Sequence, residues 1–98
     1  MSEILEIRYE QHPEVVFRRI ADEAILVPTW RQTADFENLY ALSDTGARIW
    51  QLIDGRRSLA QVCEQMIQEY DADADEIVAD VTEFVQHLEG VGVLRRIG

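Results

Sequence analysis

The sequence predicts an α+β fold in which antiparallel β-strands at the N-terminal end precede three helices. Two observations carry that expectation. The first third of the chain holds short runs rich in β-branched and aromatic residues, separated by polar clusters. The rest switches to apolar residues recurring every three to four positions, in three blocks that each open on a residue suited to cap a helix. Asp54-Gly55-Arg56-Arg57 separates the first two blocks so briefly that strands followed by compact helices give a winged helix-turn-helix-like arrangement.

The elements follow in order. Residues 1–12 are compatible with a short strand or a frayed terminus, since Leu5, Ile7 and Tyr9 alternate with Glu6 and Arg8. Glu14 to Ile20 and Ala24 to Trp30, divided by Ala21-Asp22-Glu23, read as a β-hairpin. Pro28 lacks an N–H, so the second strand should be irregular or at an edge there. Arg31 to Asp35 is a polar loop, and Phe36 to Leu42 resumes a strand with Phe36, Asn38, Tyr40 and Leu42 on one face. Ser43-Asp44-Thr45 then offers side-chain oxygens to cap a helix from about Asp44 to Ile53, stopped by Gly55. Gly46 lies in its first turn, where a missing side chain permits close approach of another group. Ser58 opens the second helix with Gln61 completing a capping box, and Leu59, Val62, Cys63, Met66, Ile67 and Tyr70 form its apolar stripe. The third helix starts near Asp73, with Glu76 in the matching capping-box position, and runs to Glu89. Its stripe is Ile77, Val78, Val81, Phe84, Val85 and Leu88, wider than a three-helix core requires. Gly90 or Gly92 ends it, and residues 91–97 return as a short strand.

Length and composition bound the rest. Residues 1–98 suffice for one domain with one core, and 47% apolar with 29% charged residues marks a globular chain. No apolar run is long enough to span a membrane, and the acidic start lacks the layout of a secretory signal. The lone Cys63 cannot form an internal disulfide, which fits a cytoplasmic setting. Net charge is −10, and Glu64 to Glu89 holds nine carboxylates and no arginine. Phosphate neutralisation needs Lys and Arg, so these helices would repel nucleic acid, and no duplex DNA binding is expected at physiological salt. A winged-helix DNA-binding regulator is therefore the weaker alternative, together with a protein-interaction subunit for another client.

No catalytic constellation appears, so the chain is not expected to be an enzyme or to hold a cofactor. His12, Cys63 and His87 are the soft ligand candidates, on three different elements and without metal-site spacing. Asp71, Asp73 and Asp75 alternate as at the start of a calcium loop, but Glu76 and Thr82 stand where its Gly and Glu belong. Arg56-Arg57 reads as a solvated turn that offsets nearby carboxylates, or as a site steering an acidic partner.

The run Leu42-Ser43-Asp44-Thr45-Gly46-Ala47-Arg48-Ile49-Trp50-Gln51-Leu52-Ile53-Asp54-Gly55 resembles the signature of the PqqD-like family, named for coenzyme PQQ synthesis protein D. The likeness continues through Ser58-Leu59-Ala60-Gln61-Val62, Asp80-Val81-Thr82-Glu83-Phe84-Val85, Leu88, Gly92 and Leu94, over roughly residues 36–96. Two departures stand out: Ser43 replaces the usual Asn, and the segment Arg31–Asp35 is longer than in compact members. The resemblance implies a non-catalytic, winged-helix-like recognition element for ribosomally made precursor peptides, as in PQQ biosynthesis. Such an adaptor, or peptide chaperone, presents the leader to a modifying enzyme, often a radical S-adenosylmethionine enzyme. It further implies that the leader adds as a strand beside the third strand and lies against the third helix. In this sequence those positions are Glu37, Asn38, Leu39, Tyr40, Ala41 and Leu42 with Ile77, Asp80, Val81 and Phe84. On the helical wheel Asp80 falls beside Ile77 and Phe84 at the rim of the apolar stripe, where its carboxylate can meet a basic residue or free amide of the peptide.

Overall fold

A computed structural model describes residues 3–29 and 40–97 of the chain. The strands are β1 (Arg8–Gln11), β2 (Val15–Ile20), β3 (Glu23–Pro28), β4 (Tyr40–Leu42) and β5 (Leu94–Ile97), and the helices α1 (Asp44–Leu52), α2 (Leu59–Glu69) and α3 (Ala74–Gly90). The order is the α+β arrangement expected from the sequence.

The ambiguous first residues resolve into a 3-10 turn over Glu3–Glu6 followed by β1. β1 pairs antiparallel with β5 at the other end of the chain, with Tyr9 opposite Arg96 and Gln11 opposite Leu94. Its other side is sewn to the helix-turn-helix: Leu59 N donates to Ile7 O at 2.9 Å and Gly55 N to Tyr9 O at 3.1 Å. The φ of +81° at Gly55 is the left-handed conformation that lets the chain turn back there. Gln11 Nε2 also donates to the carbonyls of Trp50 at 2.9 Å and Ile53 at 3.2 Å, tying β1 to the end of α1.

The hairpin turns at Ala21-Asp22, one residue tighter than expected, with Ala21 at φ 55°. β2, β3 and β4 form an antiparallel sheet in that order, with Phe17 opposite Leu26 and Leu26 opposite Tyr40. β3 takes the middle place in this sheet. Pro28, which has no N–H to donate, is the last residue of β3 and faces Val15, and the described pairing with β4 runs only as far as Leu26, so among the described residues Pro28 is paired on one side alone. The expected strand Phe36–Leu42 is seen as Tyr40–Leu42, its earlier residues lying outside those described.

Each helix begins for the reason the sequence suggested, with one exception. Ser43 Oγ accepts from Gly46 N at 3.0 Å, and Ser58 and Gln61 form the reciprocal capping box. Asp73 does cap α3, but its Oδ1 accepts from Asp75 N at 2.9 Å, and no return bond from Glu76 completes the expected box. α3 ends at Gly90, and Gly92 at φ +89° releases the chain into β5. The three helices and both sheets enclose a core centred on Trp50, Leu26, Val62, Val85 and Val93. Cys63 is buried in it. Ile67 is not part of the α2 core stripe: it is 36% exposed. At about 100° per residue it lies roughly 90° from the centre of the stripe formed by Leu59, Val62, Cys63 and Met66, at its edge beyond Cys63.

Candidate functional site

A groove forms where the N-terminal turn of α1 meets the outer flank of α3. Its first part, about 330 Å³, is lined by Ser43, Thr45, Gly46, Ile49, Asp80 and Phe84. Its second, about 140 Å³, is lined by Thr45, Ile49, Met66, Tyr70, Ala72, Ile77, Asp80 and Val81. Thr45, Ile49 and Asp80 belong to both, so the two parts adjoin across these side chains.

The local sequence explains this shape. The cap at Ser43 starts α1 immediately after β4, which brings the strand end and the helix start to one corner. Gly46 leaves room for Phe84: a Cβ built on Gly46 would sit 3.1 Å from Phe84 Cε1 and 3.7 Å from Leu42 Cβ. Ile77 and Val81 face the core, Phe84 is half-buried, and Asp80 is exposed. Asp80 is the sole charged side chain among the lining residues of either part, set among Ile49, Ile77, Val81 and Phe84.

β4 runs alongside. Tyr40 and Leu42 are half-buried toward the helices and Ala41 is exposed, which is the alternation expected of them. β4 is bonded to β3 on one side, and no described strand lies on its other side. Such an edge offers main-chain donors and acceptors to an added strand. The structure thus brings Leu42, Ile77, Asp80, Val81 and Phe84 to one corner. Glu37, Asn38 and Leu39 lie outside the described residues. Thr45, Ile49, Met66 and Tyr70 were missed by sequence reasoning. Ile49, Met66 and Tyr70 look like core positions in their own helices, and only the meeting of α1, α2 and α3 turns part of them toward the groove.

The other candidates have structural roles. Arg48 ties α1 to α2 through Glu69, with Nε to Oε1 at 2.7 Å and Nη2 to Oε2 at 2.6 Å. Those bonds, then that from Gln65, hold the Glu69 carboxyl down at about 2. Asp54 Oδ1 accepts from the backbone N–H groups of Arg56 and Arg57, which keeps its carboxyl below the usual range, and Oδ2 pairs with Arg57 Nη1 at 2.8 Å. Burial, then Glu64, pushes the Cys63 thiol up, away from thiolate chemistry. His12 Nδ1 accepts from Glu14 N at 3.0 Å. Among the described residues no three His, Cys, Asp or Glu cluster to hold a metal ion, and no helix is long and apolar enough to cross a membrane.

Known proteins share the family signature and the fold. The family profile described as "Coenzyme PQQ synthesis protein D (PqqD)" matches residues 23–94. A PqqA binding protein of Xanthomonas euvesicatoria pv. vesicatoria is 41% identical over 59 residues, and its counterpart in Xanthomonas oryzae pv. oryzae is 39% identical over the same length. The aligned stretch covers 60% of this chain and 64% of each relative, just under two-thirds of their length. Among solved structures, the PqqD truncation of Methylobacterium extorquens PqqCD, a stand-alone recognition element for ribosomally synthesized and post-translationally modified peptides, superposes with a TM-score of 0.70. The match has 25% identity and covers 92% of this chain and 89% of that one. TbiB1, solved in complex with the TbiA(beta) leader peptide, shares the fold at a TM-score of 0.72 and 24% identity, over 91% of this chain and 98% of that one.

Proposed function

Because this chain belongs to the PqqD family, we propose that it is a non-catalytic adaptor for the leader of a ribosomally made precursor peptide. The leader adds as a strand to β4, over Glu37–Leu42, and its side chains enter the groove formed by Ile77, Asp80, Val81 and Phe84. The bound peptide is then presented to a modifying enzyme, of radical S-adenosylmethionine type in a PQQ-like or related maturation.

One observation carries the reading: a strand edge without a described neighbour lies beside an apolar groove with a single carboxylate in its wall. Main-chain bonds to the edge supply affinity for any extended peptide, and the groove selects among side chains. The thiol of Cys63 is buried and raised rather than activated for nucleophilic attack. The relatives support a peptide client, since they are PqqA binding proteins and a leader-bound protein of the same fold.

Asp80 gives the direct test. Its side chain is exposed and takes no part in the hydrogen bonding or ion pairing among the described residues, so Asp80→Ala should leave the fold intact. A rim carboxylate meeting a basic side chain contributes about 1 kcal/mol, so leader affinity should fall about fivefold in calorimetric titration. Unchanged affinity for a leader that carries a basic residue would remove Asp80 from the site.

A further inference from the structure

The two parts of the groove differ in setting. The larger borders the end of β4, at Ser43, Gly46 and Phe84. The smaller, about 140 Å³, lies where α1 and α3 meet the C-terminal end of α2. Four of its lining residues, Ile49, Met66, Ile77 and Val81, belong to the core and are at most 7% exposed. Tyr70 and Ala72 line it on the α2 side, and Thr45 and Asp80 are shared with the larger part.

A close-packed domain leaves few spaces of this size beside its core. The hollow has room for several waters, at about 30 Å³ each, but its mostly apolar lining gives them few hydrogen-bond partners. Its wall is also held off the gap. Tyr70 is the C-cap of α2, with its N–H bonded to Met66 O at 2.9 Å. The preceding residue, Glu69, is gripped by both nitrogens of the Arg48 fork from α1 and by Gln65 Nε2 at 2.7 Å. That bidentate bridge fixes the end of α2 to α1, and with it the position of Tyr70. A hollow that is apolar, open on one side and fixed in shape is preorganised to receive an apolar group.

We propose that the smaller hollow is a second leader subsite, which takes one apolar side chain of leucine to phenylalanine size. The inference rests on the adaptor reading and names what that groove selects. Volume sets the size, since an apolar cavity of about 150 Å³ holds benzene. Spacing sets the position. Along α3 the larger part is lined by Asp80 and Phe84 and the smaller by Ile77, Asp80 and Val81, an offset of roughly one helical turn, about 5 Å. Alternate residues of an extended strand share a face and lie about 6.6–6.8 Å apart. The subsite therefore reads the residue two positions along the leader from the one that lies against Phe84.

The test is a double-mutant cycle. The probe is the cognate leader as a synthetic peptide, with its apolar residues changed to alanine one at a time, titrated against wild type and Ala72→Leu. Ala72 is exposed and lies between α2 and α3, so a leucine there can fill the hollow without entering the core, and melting temperature should match wild type. One leader residue, when cut to alanine, should lose about ten- to hundredfold in affinity for wild type, the worth of burying one such side chain. Ala72→Leu should weaken the unaltered leader about tenfold, yet weaken the leader truncated at that residue by no more than about twofold. Met66 gives a readout on the unaltered chain. The sequence holds two methionines, so the Met66 methyl resonance is readily followed, and it should shift as leader is added. Wild-type affinity of the unaltered leader for Ala72→Leu, an equal loss for every leader, or a Met66 methyl that stays still as wild type saturates would each overturn the subsite. Failure of the leader to bind wild type would instead sink the adaptor reading itself.

Discussion

Gly46→Ala sets a gain in helix propensity against the packing of the groove wall. Gly46 sits in the first turn of α1, where Ala should gain about 0.5–1 kcal/mol over Gly. Against this, the new Cβ would lie 3.1 Å from Phe84 Cε1 and 3.3 Å from the capping Ser43 Oγ. Carbon atoms pack best at about 3.5–4.0 Å, so the Phe84 ring must retreat by roughly half an ångström. It can, because Phe84 is half-buried and borders an open cleft of about 330 Å³. The overpacking cost therefore falls near the low end of its usual range, about 1 kcal/mol, and the net change in stability should lie within about 1 kcal/mol of zero. The displaced ring enters the space a leader side chain would occupy, so peptide affinity should fall while stability does not. Urea unfolding and calorimetric titration with the leader measure the two effects separately. A loss above about 3 kcal/mol would show that Phe84 is held rigidly in the core. Unchanged stability together with unchanged affinity would show that Phe84 is not a wall of the binding groove.

Two further outcomes follow from the core and the charges. Trp50 is 2% exposed, so Trp50→Ala should cost about 3–5 kcal/mol in urea unfolding, and a variant within about 1 kcal/mol of wild type would contradict its anchoring role. The folded Glu69 carboxyl titrates at about 2 against an ordinary 4.5, so its contribution is fully present above pH 4.5 and is lost as pH falls toward 2. Glu69→Gln should remove part of the acid sensitivity in that window, and an acid-unfolding curve that keeps the wild-type slope there would refute the Arg48–Glu69 link.

The parts of the fold legible in the sequence are those set by neighbours along the chain. Ser43 and Ser58 cap helices through bonds spanning three residues, and the β2–β3 hairpin closes over two. β1 is only half legible, as a short strand or a frayed terminus, because its partner β5 lies more than eighty residues away and each strand contributes one buried side chain, Tyr9 and Leu94. Ile67 was misjudged because apolar character alone does not place a residue on the buried face of α2. At the candidate site, the helical wheel put Asp80 beside Ile77 and Phe84, and the structure lines the groove with all three. Thr45, Ile49 and Tyr70 join it only through the packing of three helices, which periodicity within one helix does not encode.

The most direct measurement of leader binding is an amide chemical-shift titration of the labelled chain with its cognate leader. Strand addition at β4 with side chains in the groove predicts perturbations clustered on Glu37–Leu42 and Ile77–Leu88, with the far end of the sheet at Arg18 and Arg19 largely unmoved. Perturbations confined to Arg56–Arg57 and α2, with β4 and α3 silent, would contradict it.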